Sequence, residues 1–166
     1  MNGDARADLL VADTRTALYF PGSGAVSWAA PILSRQAPQF DATDPAVRLM
    51  DADGNSVVDA VRSSRRHLTV FEHDPIRGWT GIPRAIPRRG DDARFPNVDF
   101  RDPRVRMADL TGDGCLDWAR LYERAIEYWP SLGELRWDER QLMTVPGPYP
   151  DRYRPERCFL ADLDGD

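Results

Sequence analysis

The chain has 166 residues and a formal net charge of −5, with 22 basic residues, all arginine, against 27 acidic ones. That length suits one domain with a sizeable core, and 14 prolines with 12 glycines favour many short elements joined by turns. No apolar run approaches the ~18 residues of a membrane span, no basic-then-apolar leader is expected from the opening residues, and Cys115 and Cys158 are too few for a disulfide scaffold or a zinc site.

Along the chain, the first patterned segment is Asn2-Gly3-Asp4-Ala5-Arg6-Ala7-Asp8, an acidic loop without its first position. Tyr19-Phe20-Pro21-Gly22-Ser23-Gly24 follows, with Trp28 close behind. A full acidic nonamer occupies 51–59, with Phe71 and Trp79 after it. The stretch 84–103, rich in Pro, Arg and Asp, reads as a surface crossing. Val105–Ala108 is apolar and leads into the clearest nonamer, Asp109-Leu110-Thr111-Gly112-Asp113-Gly114-Cys115-Leu116-Asp117. Leu116–Tyr122 leaves that loop as a mostly apolar run and Ala125–Trp129 reads as the next strand. Pro130–Gly133 reads as a turn and Trp137–Met143 as a last strand. The pattern opens once more at Phe159-Leu160-Ala161-Asp162-Leu163-Asp164-Gly165-Asp166.

These segments form a repeat. The loop-closing residues Asp8, Asp59 and Asp117 are 51 and 58 residues apart. The aromatic motif at Tyr128-Trp129-Pro130-Ser131-Leu132-Gly133 with Trp137 stands 109 residues after its counterpart at Tyr19 with Trp28, the same separation as Asp8 from Asp117. Two motifs sharing one register, with about four short strands per ~50 residues, are the signature of a β-propeller blade. The expected fold is all-β: a β-propeller arc of about three blades, cut at both ends, with periods at about 1–48, 49–104 and 105–159 and a new start at 160. Closed propellers use ~4–8 blades, so the remainder of the same propeller is the first expected partner. Trp28, Trp79 and Trp137 are expected to pack blades rather than form a sugar platform, and the unrepeated Trp118 to be a core substitution.

In the 109–117 loop, side-chain oxygens fall at Asp109, Thr111, Asp113 and Asp117, and Cys115 can offer its carbonyl. Oxygens at those intervals suit a hard cation such as Ca²⁺. Position 12 holds Arg120 here and Arg62 in the earlier loop, where an EF-hand needs a bidentate Glu, so a shorter propeller-type calcium loop is the better match. The weaker 51–59 loop offers Asp51, Asp53, Asn55, the Val57 carbonyl and Asp59, with Ser56 in place of a glycine. Asn2, Asp4 and Asp8 form one partial loop, and Asp162, Asp164 and Asp166 another. The same spacing also suits Asx turns whose carboxylates take backbone N–H groups without metal. A filled site is expected to be structural.

Eleven of the 27 acids lie in these four loops, which leaves 16 against 22 arginines elsewhere. The clusters Arg62, Arg65, Arg66 and Arg84, Arg88, Arg89 lack aromatic interleaving and read as solvated faces, with no nucleic-acid partner expected. His67 and His73 with Asp74 are accompanied by no nucleophile motif and read as surface-loop histidines, so no enzymatic activity is expected. A Cys115–Cys158 bridge is not expected.

The run Phe95-Pro96-Asn97-Val98, then Asp102-Pro103-Arg104-Val105-Arg106-Met107-Ala108 through Gly114, then Ile126-Glu127-Tyr128-Trp129-Pro130-Ser131-Leu132-Gly133, resembles the N-terminal and middle propeller region of SpvB-like and TcdB-like proteins. These are the B components of insecticidal toxin complexes, with FG-GAP/VCBS-type repeats. The chain departs from that family at Cys115 and Trp118-Ala119-Arg120, where plainer aliphatic residues are usual. The resemblance implies a secreted, virulence-associated propeller that docks on the pore-forming A component and gates release of the enzymatic cargo carried with the C component. It also implies that catalytic residues lie outside this segment. A generic FG-GAP adhesion or carbohydrate-binding propeller is the alternative.

Overall fold

The computed structural model describes residues 4, 6–13, 15–24, 27–34, 36, 38–79, 82–144 and 153–161. It divides into two compact units, Met1–Pro87 and Arg88–Asp166. Among the described residues regular structure is almost entirely antiparallel β, the exception being one short 3-10 turn at Pro155–Arg157. The sheets are small and none closes on itself.

The strands of the first unit are β1 (Leu9–Ala12), β2 (Ala17–Phe20), β3 (Gly22–Gly24), β4 (Ser27–Trp28), β5 (Ile32–Leu33), β6 (Val47–Met50), β7 (Asp59–Ser63), β8 (His67–Phe71), β9 (His73–Asp74), β10 (Gly78–Trp79) and β11 (Arg84–Pro87). They form a three-stranded sheet in the order β1-β2-β5, a four-stranded sheet β11-β8-β7-β6, and the small pairs β3-β4 and β9-β10. Alternation in β1 and β2 sends Leu10, Ala12 and Ala17 to one face, where they pack with Phe40, Val47, Ala60, Phe71 and Trp79. The Phe40 ring fixes the centre of this core, 5.0 Å from Phe71 and 4.8 Å from Trp79. Trp28 does not join it. Its side chain is 58% exposed, because β4 pairs only with the glycine-flanked β3, which offers little side chain to pack against.

In the second unit β12 (Val105–Ala108), β13 (Asp117–Leu121), β14 (Ala125–Trp129) and β15 (Gln141–Thr144) form a meander in chain order. Trp118 lies buried at its centre, 5.0 Å from the Phe100 ring and 4.8 Å from Trp137, which in turn meets Phe95 at 5.5 Å. Trp118 is thus a core residue, as its unrepeated position suggested. The expected last strand starts later, at Gln141, while Trp137 makes an isolated bridge to Ser131 and buries its ring. The stretch 84–103 is not a surface crossing. Arg84–Pro87 pairs with β8, and Phe95, Val98 and Phe100 are buried apolar residues between turn-forming prolines and aspartates.

The sheets β6–β8 and β12–β14 are entered through turns of the same build. Asp41 and Asp99 each accept on Oδ1 from the N–H two residues on, at 2.8 and 3.0 Å, and Asp44 and Asp102 do the same at 2.9 and 3.0 Å. Arg48 and Arg106 then donate back to the carbonyls of Pro45 and Pro103, at 2.9 and 2.7 Å. Side-chain carboxylates of this kind stand in for backbone acceptors in Asx turns.

Candidate functional site

The acidic loops 51–59 and 109–117 each leave the first strand of a four-stranded sheet and return as the second. To turn so tightly, residues 4 and 6 of the nonamer take left-handed backbone: Gly112 (φ 75) and Gly114 (φ 85) in one loop, Gly54 (φ 83) and Ser56 (φ 66) in the other. Ser56 therefore adopts the conformation that glycine supplies at its counterpart. The first-position carboxylate caps the turn from inside. Asp109 accepts from the N–H groups of Gly112, Asp113 and Gly114 at 2.7, 3.2 and 2.8 Å, and Asp51 from Gly54, Asn55 and Ser56 at the same three distances. The Gly114 N–H, followed by its neighbours, holds the Asp109 carboxyl below the usual range.

The ninth-position aspartate has a different duty. Asp59 and Asp117 are fully buried, and both carboxylate oxygens are taken up by backbone. Asp117 accepts from Leu110 (2.9 Å) and Thr111 (3.1 Å) on one oxygen and from Ser131 (2.7 Å) on the other. Asp59 accepts from Ala52 (3.3 Å) and His73 (2.8 Å), and Asp8 accepts from Gly22 (2.7 Å). In all three repeats the long bond spans 14 residues, from the loop to the second residue beyond β2, β8 or β14. The signal was present in the sequence as the constant offset between the acidic and aromatic motifs.

Among the described residues, the side chains that gather three metal-ligating atoms within 4.8 Å of one another are those of Asp51, Asp53 and Asp59. Burial pushes the Asp59 carboxyl up to about 6 against the two backbone bonds it accepts, and the charges of Asp53 and Asp51 add to the rise. Such a cluster can hold a metal ion, since each of the three carboxylates keeps at least one oxygen with a lone pair to spare. Asp109, Asp113 and Asp117 are not gathered in this way. Position 3 of their loop is Thr111, and the Asp113 carboxylate turns back to accept from Cys115 N–H at 2.8 Å. In the earlier loop Asn55 Oδ1 likewise accepts from Val57 N–H at 2.6 Å. Asp4 accepts from Arg6 N–H at 3.0 Å. Asn2, Asp162, Asp164 and Asp166 lie outside the described residues.

His73 is not a surface-loop residue. It sits on the two-residue strand β9, buried beside Trp79, and burial pushes its pKa down to about 4. His67 is half-buried on β8. The position-12 arginines pack over aromatic rings, Arg62 at 5.4 Å from Phe71 and Arg120 at 5.9 Å from Trp129. Arg120 also shares the nearly buried Glu127 carboxylate with Arg140 (3.4 and 2.7 Å), and Tyr122 Oη donates to it at 3.2 Å. Both cysteines are free thiols, and among the described residues no helix is long and apolar enough to cross a membrane.

No family model and no curated protein matches the chain. A chain of the solved Photorhabdus luminescens Tc holotoxin pore has a similar fold, with a TM-score of 0.57 and 19% identity over 84% of this chain. The present chain spans 6% of the length of that one. At that identity the likeness is one of fold.

Proposed function

We propose that this chain is a non-enzymatic scaffold segment of a secreted toxin-complex B component, part of a β-propeller that contacts the pore-forming component and gates the cargo. The observation that carries the reading is the shared fold with the Tc holotoxin chain over 84% of the present sequence. It is supported by the repeated loop, turn and 14-residue bond, which are the marks of a blade array. On this reading the partners are the rest of the ring and the A and C components, and calcium is held structurally by Asp51, Asp53 and Asp59. Biolayer interferometry against an immobilised pore-forming component tests it: saturable binding is expected. Absence of that binding, together with saturable binding to a glycan panel, would favour the adhesion reading.

A further inference from the structure

In the first unit, a crevice walled by Tyr19, Ser34, His73, Gly78 and Trp79 narrows to about 10 Å³ of room for the centre of a water molecule. That is the space of one water. Two residues of its walls carry a buried ring nitrogen, Nδ1 of His73 and Nε1 of Trp79, with no hydrogen-bond partner in the protein. Both residues are more than nine-tenths buried, at 7% and 5% exposure, and their ring centroids are 4.8 Å apart. A buried polar group left unpaired is costly, and native folds rarely leave one so.

The two atoms are complementary to a single solvent molecule. An indole N–H only donates, and the unprotonated Nδ1 of a neutral imidazole only accepts. One water can accept from Trp79 and donate to His73, which sets the imidazole proton on Nε2. Its second hydrogen has an acceptor in Ser34 Oγ, whose own proton goes to the Gln36 carbonyl at 2.9 Å. The backbone keeps this place open. Gln36 bridges to Gly78, and a Cβ at Gly78, whose φ is +87, would collide with Ser34 Oγ.

We propose that His73, Trp79 and Ser34 form a binding site for one internal water that ties the β9–β10 hairpin to the segment leaving β5. The site does not rest on the toxin reading.

NMR of the ¹⁵N-labelled full chain tests it. The His73 imidazole should be the Nε2-protonated tautomer, and the Trp79 indole proton should show cross-relaxation with a long-lived water. A proton on Nδ1, or an indole N–H without such a water, would overturn the proposal. His73→Phe should abolish the water contact at the indole, and its persistence would overturn the bridge. Should that variant not fold, Ser34→Ala serves: a shortened water residence is expected, and an unchanged one removes Ser34 from the site.

Discussion

Asp113 and Asp117 lie in one acidic loop, yet their carboxylates meet different surroundings. Asp117 is buried and satisfies three backbone N–H groups, whereas Asp113 is exposed and accepts from one. Asp117→Ala should cost about 2–4 kcal/mol, since it leaves three part-buried N–H donors without their acceptor and such losses, about 1–3 kcal/mol each when fully buried, are not fully additive. Asp113→Ala should stay within about 0.5 kcal/mol, as exposed substitutions do. Urea unfolding of the two variants measures this, and equal losses would contradict the assignment. Asp59 and His73 make a second, pH-dependent prediction. The Asp59 carboxyl rises from 3.8 to about 6 on folding, so its contribution to stability falls as pH climbs through that window. His73 drops from 6.5 to about 4, so its contribution rises over much the same window. The two slopes oppose, and His73→Phe should make stability decline more steeply with pH between about 4 and 6 than in the parent chain. An unchanged slope would show that His73 does not titrate as its burial requires. A cation at Asp51, Asp53 and Asp59 should add about 1.4 kcal/mol at ten times its dissociation constant. Thermal melts with calcium and with chelator should therefore separate. Asp53→Ala should close the gap and Asp113→Ala should leave it, while coincident melts of the parent chain would end the calcium reading.

At the scale of elements, the unrepeated Trp118 and the repeated Trp28 separate packing from pattern. Trp118, enclosed by Phe100 and Trp137 on β13, should cost about 3–5 kcal/mol when cut to Ala. Trp28→Ala should cost less than about 0.5 kcal/mol, because its ring is largely in solvent. Chemical denaturation decides between them, and a reversed order would mean that the sheet core is elsewhere. The central strands were legible because short, mostly apolar runs mark β12 to β14 directly. Three features escaped. The prolines of 84–103 hid the apolar spacing of Phe95, Val98 and Phe100. A two-residue strand such as β9 is too short to show any alternation, so His73 looked like a loop residue. The backbone bonds of the ninth aspartate were not foreseen, because backbone N–H groups and a hard cation ask for the same carboxylate oxygens; Asp59 takes such bonds and also stands with Asp51 and Asp53 in the group that can hold a metal ion.

At the scale of the whole molecule, the outer face of the three-stranded sheet is the exposed counterpart of its packed one. Leu9 stands opposite Phe20, Val11 opposite Leu18, and Leu18 opposite Leu33. Val11 is 53% and Leu33 61% exposed. A strip of paired apolar residues of this kind favours association. Sedimentation velocity should show concentration-dependent self-association that Leu33→Glu weakens, and a strictly monomeric parent chain at high concentration would refute it. The aspartate bond also governs how the repeats tolerate insertion and deletion. Its span is 14 residues in every repeat, although the repeats themselves are 51 and 58 residues long. All seven residues of that difference thus fall outside the span, and the donor in each case is a backbone N–H, of Gly22, His73 or Ser131. Between the aspartate and its donor a single inserted residue breaks the bond, whereas the chain from there to the next acidic loop can lengthen or shorten and leave the bond intact.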